Sequence, residues 1–403
     1  MRLAVRLGLA GAVLVAVAAV TFVLWPGGTP SRATHAPAGP AKHPSATSTG
    51  AEAPAAEPVV DGNQIIDKRD GSTFVPRGVN WSSFEYACTQ GWGYSELDRL
   101  GGDAAGETEA AAIAGWGANT VRLPVNEDCW LGTRGAPVSD ATTMRTPDDY
   151  RANVHRFIEA LNAHGLVVIL DLQSRKRVGQ NDFGNLAMPD AESLAFWKSA
   201  ATEYAGNPSV IFDAFNEPYS RFDPSTGTYA LQLTWDCWRD GGCEAPVQDD
   251  RVEPLGPQRY QTVGMSAVVA EIRSTGARQP ILLGGLDYAN DLTGWLDHAP
   301  SDPQLIASFH SYPFKKCKAE ACWDATVGTV ATSVPVVAGE VGDTDHRGGY
   351  VNSFVSWANS HKLGWLAWVW DASPQDPMAL IQSDRLTPTI PYGIRVRNLM
   401  EQR

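Results

Sequence analysis

The sequence predicts an α/β fold, a (β/α)8 (TIM) barrel, and three observations carry the prediction. Short apolar runs alternate with helical segments from about residue 59 onward. The runs lack polar alternation, as expected of parallel strands buried on both faces. Eight such runs can be placed, the number at which a parallel sheet closes into this barrel. An open doubly wound sheet would ordinarily carry a Gly-rich phosphate turn after its first strand, and the sequence has none there.

The elements follow in order. Gly78-Val79-Asn80-Trp81 reads as a first strand after a turn at Asp70-Gly71. An Ala-rich helix spans about Glu107 to Gly117, and Asn119–Val125 is the second strand. Asp148–His164 has helical spacing through Val154, Phe157, Ile158 and Leu161, and Gly165 fits the position just past its end. Leu166–Leu170 is the third strand; a helix over Ala191–Tyr204 leads to the fourth, Ser209–Phe215. An insertion over 219–255 precedes a helix predicted at Gln258–Ser274. The remaining strands are Pro280–Gly284, Leu305–Phe309, Val334–Gly339 and Gly364–Trp370, and a last helix covers Ile394–Met400.

Before the barrel, Arg2 and Arg6 precede an uncharged run from Leu7 to Trp25. Residues 1–25 therefore read as a signal peptide or transmembrane anchor. The run's length favours an uncleaved anchor with the arginines cytoplasmic, while Ala16-Val17-Ala18 offers a small-residue cleavage site. Either way the body is exported, extracellular or on the cell surface. Residues 26–58, rich in Ala, Pro, Ser, Thr and Gly, read as a disordered linker. The barrel domain is then 59–403.

The 32 basic residues against 45 acidic ones leave a formal charge of −13, which argues against nucleic acid and acidic polymers. A neutral substrate and a monomeric chain are expected. All six cysteines lie in the exported part. Short loop-closing bridges pair Cys237 with Cys243 and Cys317 with Cys322, which leaves Cys88 with Cys129. No Cys-x-x-Cys with partner His spacing suggests zinc, and Asp345 and His346 read as a solvated loop, so neither metal nor cofactor is expected.

Chemistry concentrates at strand ends. Asn216-Glu217-Pro218 closes the fourth apolar run and Glu340 closes the seventh. In a closed barrel these ends face each other across the top, where barrel enzymes keep their catalytic groups. Two such carboxylates suit glycosidic bond cleavage, one donating a proton and the other attacking or activating water. This pattern resembles glycoside hydrolase family 5, the cellulase family of retaining barrel glycosidases, over most of residues 65–375.

The resemblance implies Glu217 as general acid/base and Glu340 as nucleophile. It implies Asn216 as partner of the sugar 2-hydroxyl and Arg122 as the arginine near the nucleophile. His310 and Tyr312 match a His-x-Tyr pair, and Trp370 matches the aromatic floor of the cleavage subsite. One departure is Asp171-Leu172-Gln173, where the family usually carries a histidine after the third strand. Gln173 can bind sugar hydroxyls but cannot titrate. Asp171, Asp213 and Asp343 read as structural hydrogen-bonders, and Trp81, Trp130, Trp235, Trp238 and Trp323 as loop residues that either pack or stack on sugar. The expected activity is retaining hydrolysis of a neutral β-glycan, first a β-1,4-glucan. A β-mannan or other β-glycan is the alternative within the family. A catalytically silent carbohydrate-binding barrel and a surface-tethered scaffold are the alternatives outside the enzyme class.

Overall fold

The computed structural model describes residues 54–402 apart from residue 141. The segment 7–25 and most of the linker lie outside these residues. Among the described residues no helix is long and apolar enough to cross a membrane.

Eight parallel strands form the barrel. They are β1 Arg77–Asn80, β2 Thr120–Asn126, β3 Val167–Lys176, β4 Val210–Asp213, β5 Ile281–Gly284, β6 Leu305–Ser311, β7 Val336–Val341 and β8 Gly364–Ala367. Each pairs with its neighbours in chain order and β8 pairs with β1, so the sheet has no edge. Outward-facing residues such as Val121, Leu123, Val168 and Leu170 pack with the helices. Those helices include α1 Asp103–Gly115, α2 Pro147–Ala163, α3 Ala191–Tyr204, α4 Met265–Ser274, α5 Gly349–Ser360 and α6 Tyr392–Glu401. Their starts follow local chemistry. Thr146 caps α2 with Pro147 in its first turn, and Asp190 forms a capping box with Ser193 at α3.

The inward-facing layer at the bottom is apolar: Val167, Ile169, Ile211, Leu282, Ile306, Val337 and Leu366. An antiparallel hairpin, Pro58–Asp61 with Gln64–Asp67, adds Ile65 to this layer and so plugs the barrel from below. Residues 54–58, expected in the linker, belong to this plug, with Ala55 and Ala56 buried. Higher up, the period of two turns the same inner face polar: Ile169 gives way to Asp171, Ile211 to Asp213, and Ile306 to Ser308 and His310.

Strand β7 breaks this alternation. Phe309 pairs with Ala338 but His310 pairs with Glu340, and on the other side Ala338 pairs with Trp365 but Val341 with Ala367. Both neighbours thus register one extra residue in β7, a bulge at Gly339. Val337 faces inward; regular alternation would send Glu340 outward. The bulge turns it into the barrel mouth.

Two element expectations are corrected. The helix predicted over Gln258–Ser274 begins only at Met265; Arg259–Val263 is instead a strand antiparallel to Gly241–Pro246 of the insertion. Tyr260, Thr262 and Val263 suit a strand, and Gly264, where an added Cβ would meet backbone at 2.4 Å, closes it. The eighth strand was expected to run to Trp370 but ends at Ala367. All three expected disulfides are present, Cys88–Cys129, Cys237–Cys243 and Cys317–Cys322.

Candidate active site

Arg122 anchors the site from inside β2. Its Nε donates to Asp213 at 2.8 Å, Nη1 to Glu340 Oε1 at 3.0 Å and to Asn80 Oδ1 at 3.0 Å, and Nη2 to Asn216 Oδ1 at 2.9 Å. Asp171 lies 3.0 Å from Nη2 as an ion pair. One buried cation therefore faces three buried carboxylates. Burial, with the charges of Asp213 and Glu340, pushes the Asp171 carboxyl well above its usual range, and burial raises Asp213 to about 6. Arg122 opposes both shifts. Asn80 also donates from Nδ2 to the Gly339 carbonyl at 2.9 Å, tying Arg122 to the bulge beneath Glu340.

Above this layer sit the two glutamates. Glu340, on β7, also accepts from the Tyr312 hydroxyl at 2.6 Å. Glu217 lies four residues past the end of β4. Its Oε1 lies 2.9 Å from His310 Nδ1 and accepts from Lys315 Nζ at 3.2 Å. One oxygen of each glutamate and a ring nitrogen of His310 all lie within 4.8 Å of one another. Burial lowers His310 to about 3, so the imidazole is neutral. We assign its proton to Nδ1, because both groups in reach of that nitrogen are carboxylates, Glu217 at 2.9 Å and Glu340 at 3.5 Å. Burial raises the Glu217 carboxyl above its usual range; Lys315 and Arg122 oppose this and Asp287 adds to it.

An open cleft runs from Gln173 along the tops of the first and last strands, lined by Tyr86, Trp92, Phe183 and Trp368 together with Glu85, Glu96, Asp371 and Asp376. Gln173 also accepts from Arg122 at 3.2 Å. The site thus has a charged centre and a partly aromatic approach, suited to a ring with hydroxyls at its edge and apolar faces.

Residues 77–374 match the family description Cellulase (glycosyl hydrolase family 5). The chain belongs to glycosyl hydrolase family 5, the cellulase family. It is a glycoside hydrolase. An endoglucanase of Paenibacillus polymyxa is 22% identical over 362 residues, covering 81% of this chain and 82% of that protein. Among solved structures, a β-glucanase of Saccharophagus degradans in complex with cellotetraose has a TM-score of 0.62 at 20% identity, covering 90% of this chain and 98% of the other. An endocellulase of Pyrococcus horikoshii, also with cellotetraose, has a TM-score of 0.62 at 19% identity, covering 87% and 100%. At these identities the two structures support the barrel fold.

Set against this family member's sequence, the structure brings Arg122, Gln173, Asn216, Glu217, His310, Tyr312 and Glu340 to one place. Trp370 is the exception. It is fully buried and packs edge-on against Trp116 at 4.7 Å. The aromatic that reaches the cleft from the end of β8 is Trp368. Regular strand stops at Ala367, so strand alternation no longer indicates which way residues 368–370 point. Of the loop tryptophans, Trp81, Trp130, Trp238 and Trp323 are buried in the core, and Trp235 packs on Trp238. Asn80 and Lys315 were not singled out from the sequence. Asn80 sits in the first-strand run, where its polarity among apolar neighbours was the available signal; Lys315 carries no such signal.

The trio Glu217, His310 and Glu340 also has the spacing of a cation site. Arg122 and Lys315 already oppose both carboxylates, so a metal ion there would work against two fixed cations. Glu127, Asp190 and Glu192 form a second such group, likewise held by Arg134 and by Arg175.

Proposed function

We propose that the protein is a retaining endo-β-1,4-glucanase that cleaves its substrate with Glu217 and Glu340. The observation that carries this reading is that one carboxyl oxygen of each glutamate lies within 4.8 Å of one on the other. Direct attack on the anomeric carbon needs a spacing of roughly 5–5.5 Å, whereas placing a water between needs roughly 6.5–9.5 Å. Glu340, held by Arg122 and Tyr312, attacks the anomeric carbon as its bond to the glycosidic oxygen breaks. Glu217 gives its proton to that oxygen. With Glu340 glycosylated, Glu217 is ionised and takes a proton from water, whose oxygen displaces Glu340. Asn216, its carbonyl end fixed by Arg122, has an amide NH2 to offer the sugar 2-hydroxyl.

The β-1,4-glucan assignment is supported by the endoglucanase relative and by the cellotetraose complexes of the structural neighbours. The open cleft, which reaches the site at Gln173 beside Arg122, fits attack within a chain. Its polymer is neutral, and one chain supplies every group named, so a monomer suffices. Three disulfides fit an exported enzyme; a membrane attachment through residues 7–25 belongs to the same proposal. The test is reducing-end release from cellulose, mixed-linkage glucan, mannan and xylan. NMR should show the β-anomer as first product. Release from the glucans, lost in Glu340→Gln, is expected. A first-formed α-anomer would refute retention, release from mannan alone would shift the substrate, and binding without cleavage would make the barrel a carbohydrate-binding module.

A further inference from the structure

Glu217 does not present two equivalent oxygens. Oε1 meets two donors, His310 Nδ1 at 2.9 Å and Lys315 Nζ at 3.2 Å, while among the described residues none is bonded to Oε2. An oxygen engaged by two N–H donors has its lone pairs occupied and is a poor seat for a proton.

Lys315 is itself held in place. Its ammonium donates to the Tyr288 carbonyl at 3.3 Å and lies 4.5 Å from the centre of the Tyr288 ring. That ring stacks on Tyr219 at 4.7 Å, and its hydroxyl donates to Asp250 at 3.0 Å. Asp287, Tyr288 and Ala289 all have positive φ, at 54°, 61° and 57°. Such a conformation is costly in residues with a side chain and is sustained where surrounding contacts impose it. Here Tyr288 N donates to the carbonyl of Pro218, the residue following Glu217, at 2.9 Å. The turn after β5 thus grips both Glu217's backbone neighbour and the lysine that touches its side chain.

We propose that Lys315 is a positioning residue which, together with His310, locks Oε1 as an acceptor and confines the transferable proton of Glu217 to Oε2, the oxygen left for the substrate. This rests on Glu217 being the acid/base. In the first half-reaction the Oε2 proton passes to the glycosidic oxygen as the bond to the anomeric carbon breaks and Glu340 bonds to that carbon. In the second, Oε2 takes the proton of water, and Lys315 supports the carboxylate that does so. The charges facing Glu217 are Arg122 from β2, Asp287 from the turn after β5, Glu340 from β7, and Lys315, with neutral His310 beside it. Asp287 is paired with Lys316 at 3.0 Å, which leaves Lys315 as the cation in direct contact.

The experiment compares Lys315→Met with the wild type on two substrates: a cello-oligosaccharide, whose leaving group needs a proton, and dinitrophenyl β-cellobioside, whose leaving group does not. General-acid assistance is worth about 100- to 10,000-fold, and a misplaced proton should forfeit part of it. We expect kcat/KM to fall about tenfold on the oligosaccharide and less than about threefold on the activated substrate. Loss of the cation should also move the alkaline limb of kcat/KM to higher pH, and Lys315→Arg should bring it back. Equal losses on both substrates, or an unmoved limb, would overturn the proposal. Should the Met variant fail to fold, Lys315→Gln faces the same two criteria. Glu217→Ala, run on the same pair, separates the two ideas. If it too shows no dependence on leaving group, the assignment of Glu217 is wrong; if it does and Lys315→Met does not, only the role of Lys315 fails.

Discussion

Replacing Glu85 with Gln should make the protein more stable at neutral and alkaline pH and leave it unchanged in acid. Glu85 is 3% exposed and borders the cleft. Burial raises its carboxyl from 4.5 to about 7, against hydrogen bonds from Ser82 Oγ and Ser83 N that favour the ionised form. A carboxyl raised on folding holds its proton more tightly in the folded state than in the unfolded one. Its contribution to stability is complete below the unfolded value near 4.5 and disappears as pH rises through about 7. That rise corresponds to about 3 kcal/mol. Gln keeps the shape without the charge. Its carbonyl can accept from Ser83 N, where Glu85 now accepts at 2.7 Å, and its NH2 can donate to the Ser82 hydroxyl. Urea unfolding of the two proteins should therefore coincide at pH 4 and diverge by about 3 kcal/mol in favour of Gln above pH 8. Burial acts with the same sign on Asp213, raised to about 6, and Glu127, raised to about 8, so the Gln variant should still lose some stability with rising pH. Parallel stability profiles for wild type and Glu85→Gln would refute the reasoning.

Other outcomes follow from the same geometry. Tyr312→Phe removes a 2.6 Å hydrogen bond to Glu340; charge-assisted bonds contribute about 1.5–3 kcal/mol, so kcat/KM on glucan should fall about 10- to 100-fold with little change in melting temperature. Gly339→Ala would bring a methyl within 2.8 Å of Ser308 Oγ and 3.1 Å of His310 Nε2. It should displace His310 from Glu217 and lower kcat by more than about tenfold, and unaltered turnover would count against the bulge. Trp368→Ala should raise KM for oligosaccharides, whereas Trp370→Ala should cost about 3–5 kcal/mol of stability as a buried truncation; calorimetry beside steady-state kinetics distinguishes them. Removing the Cys88–Cys129 bridge, whose partners are 41 residues apart, should cost about 4 kcal/mol in denaturant unfolding.

Much of the architecture can be read from the chain. Buried parallel strands need uninterrupted apolar runs, so Leu166–Leu170 and Pro280–Gly284 announce themselves, while Asp190 marks a helix start by accepting from backbone N–H groups and Pro147 by its fixed φ and missing N–H. Glu217 and Glu340 were visible because each adjoins such a run. The stretch 259–263 has the β-branched and aromatic residues of a strand, but its partner Gly241–Pro246 lies in the insertion, where sequence alone shows no strand, so the following helical spacing extends over it. The same limit explains Trp370: once regular strand ends at Ala367, the facing of the next residues depends on what packs around them.

Local pattern thus dictated the barrel, the order of its strands and the presence of an acidic residue at the close of the fourth and seventh runs, because these depend on short-range periodicity. It could not show that an extra residue at Gly339 rotates Glu340 inward, that Asn80 and Arg122 brace that turn, or that Lys315 reaches Glu217 across 98 positions of sequence. Those relations exist only between segments far apart in the chain, and closure of the sheet is what brings them within bonding distance.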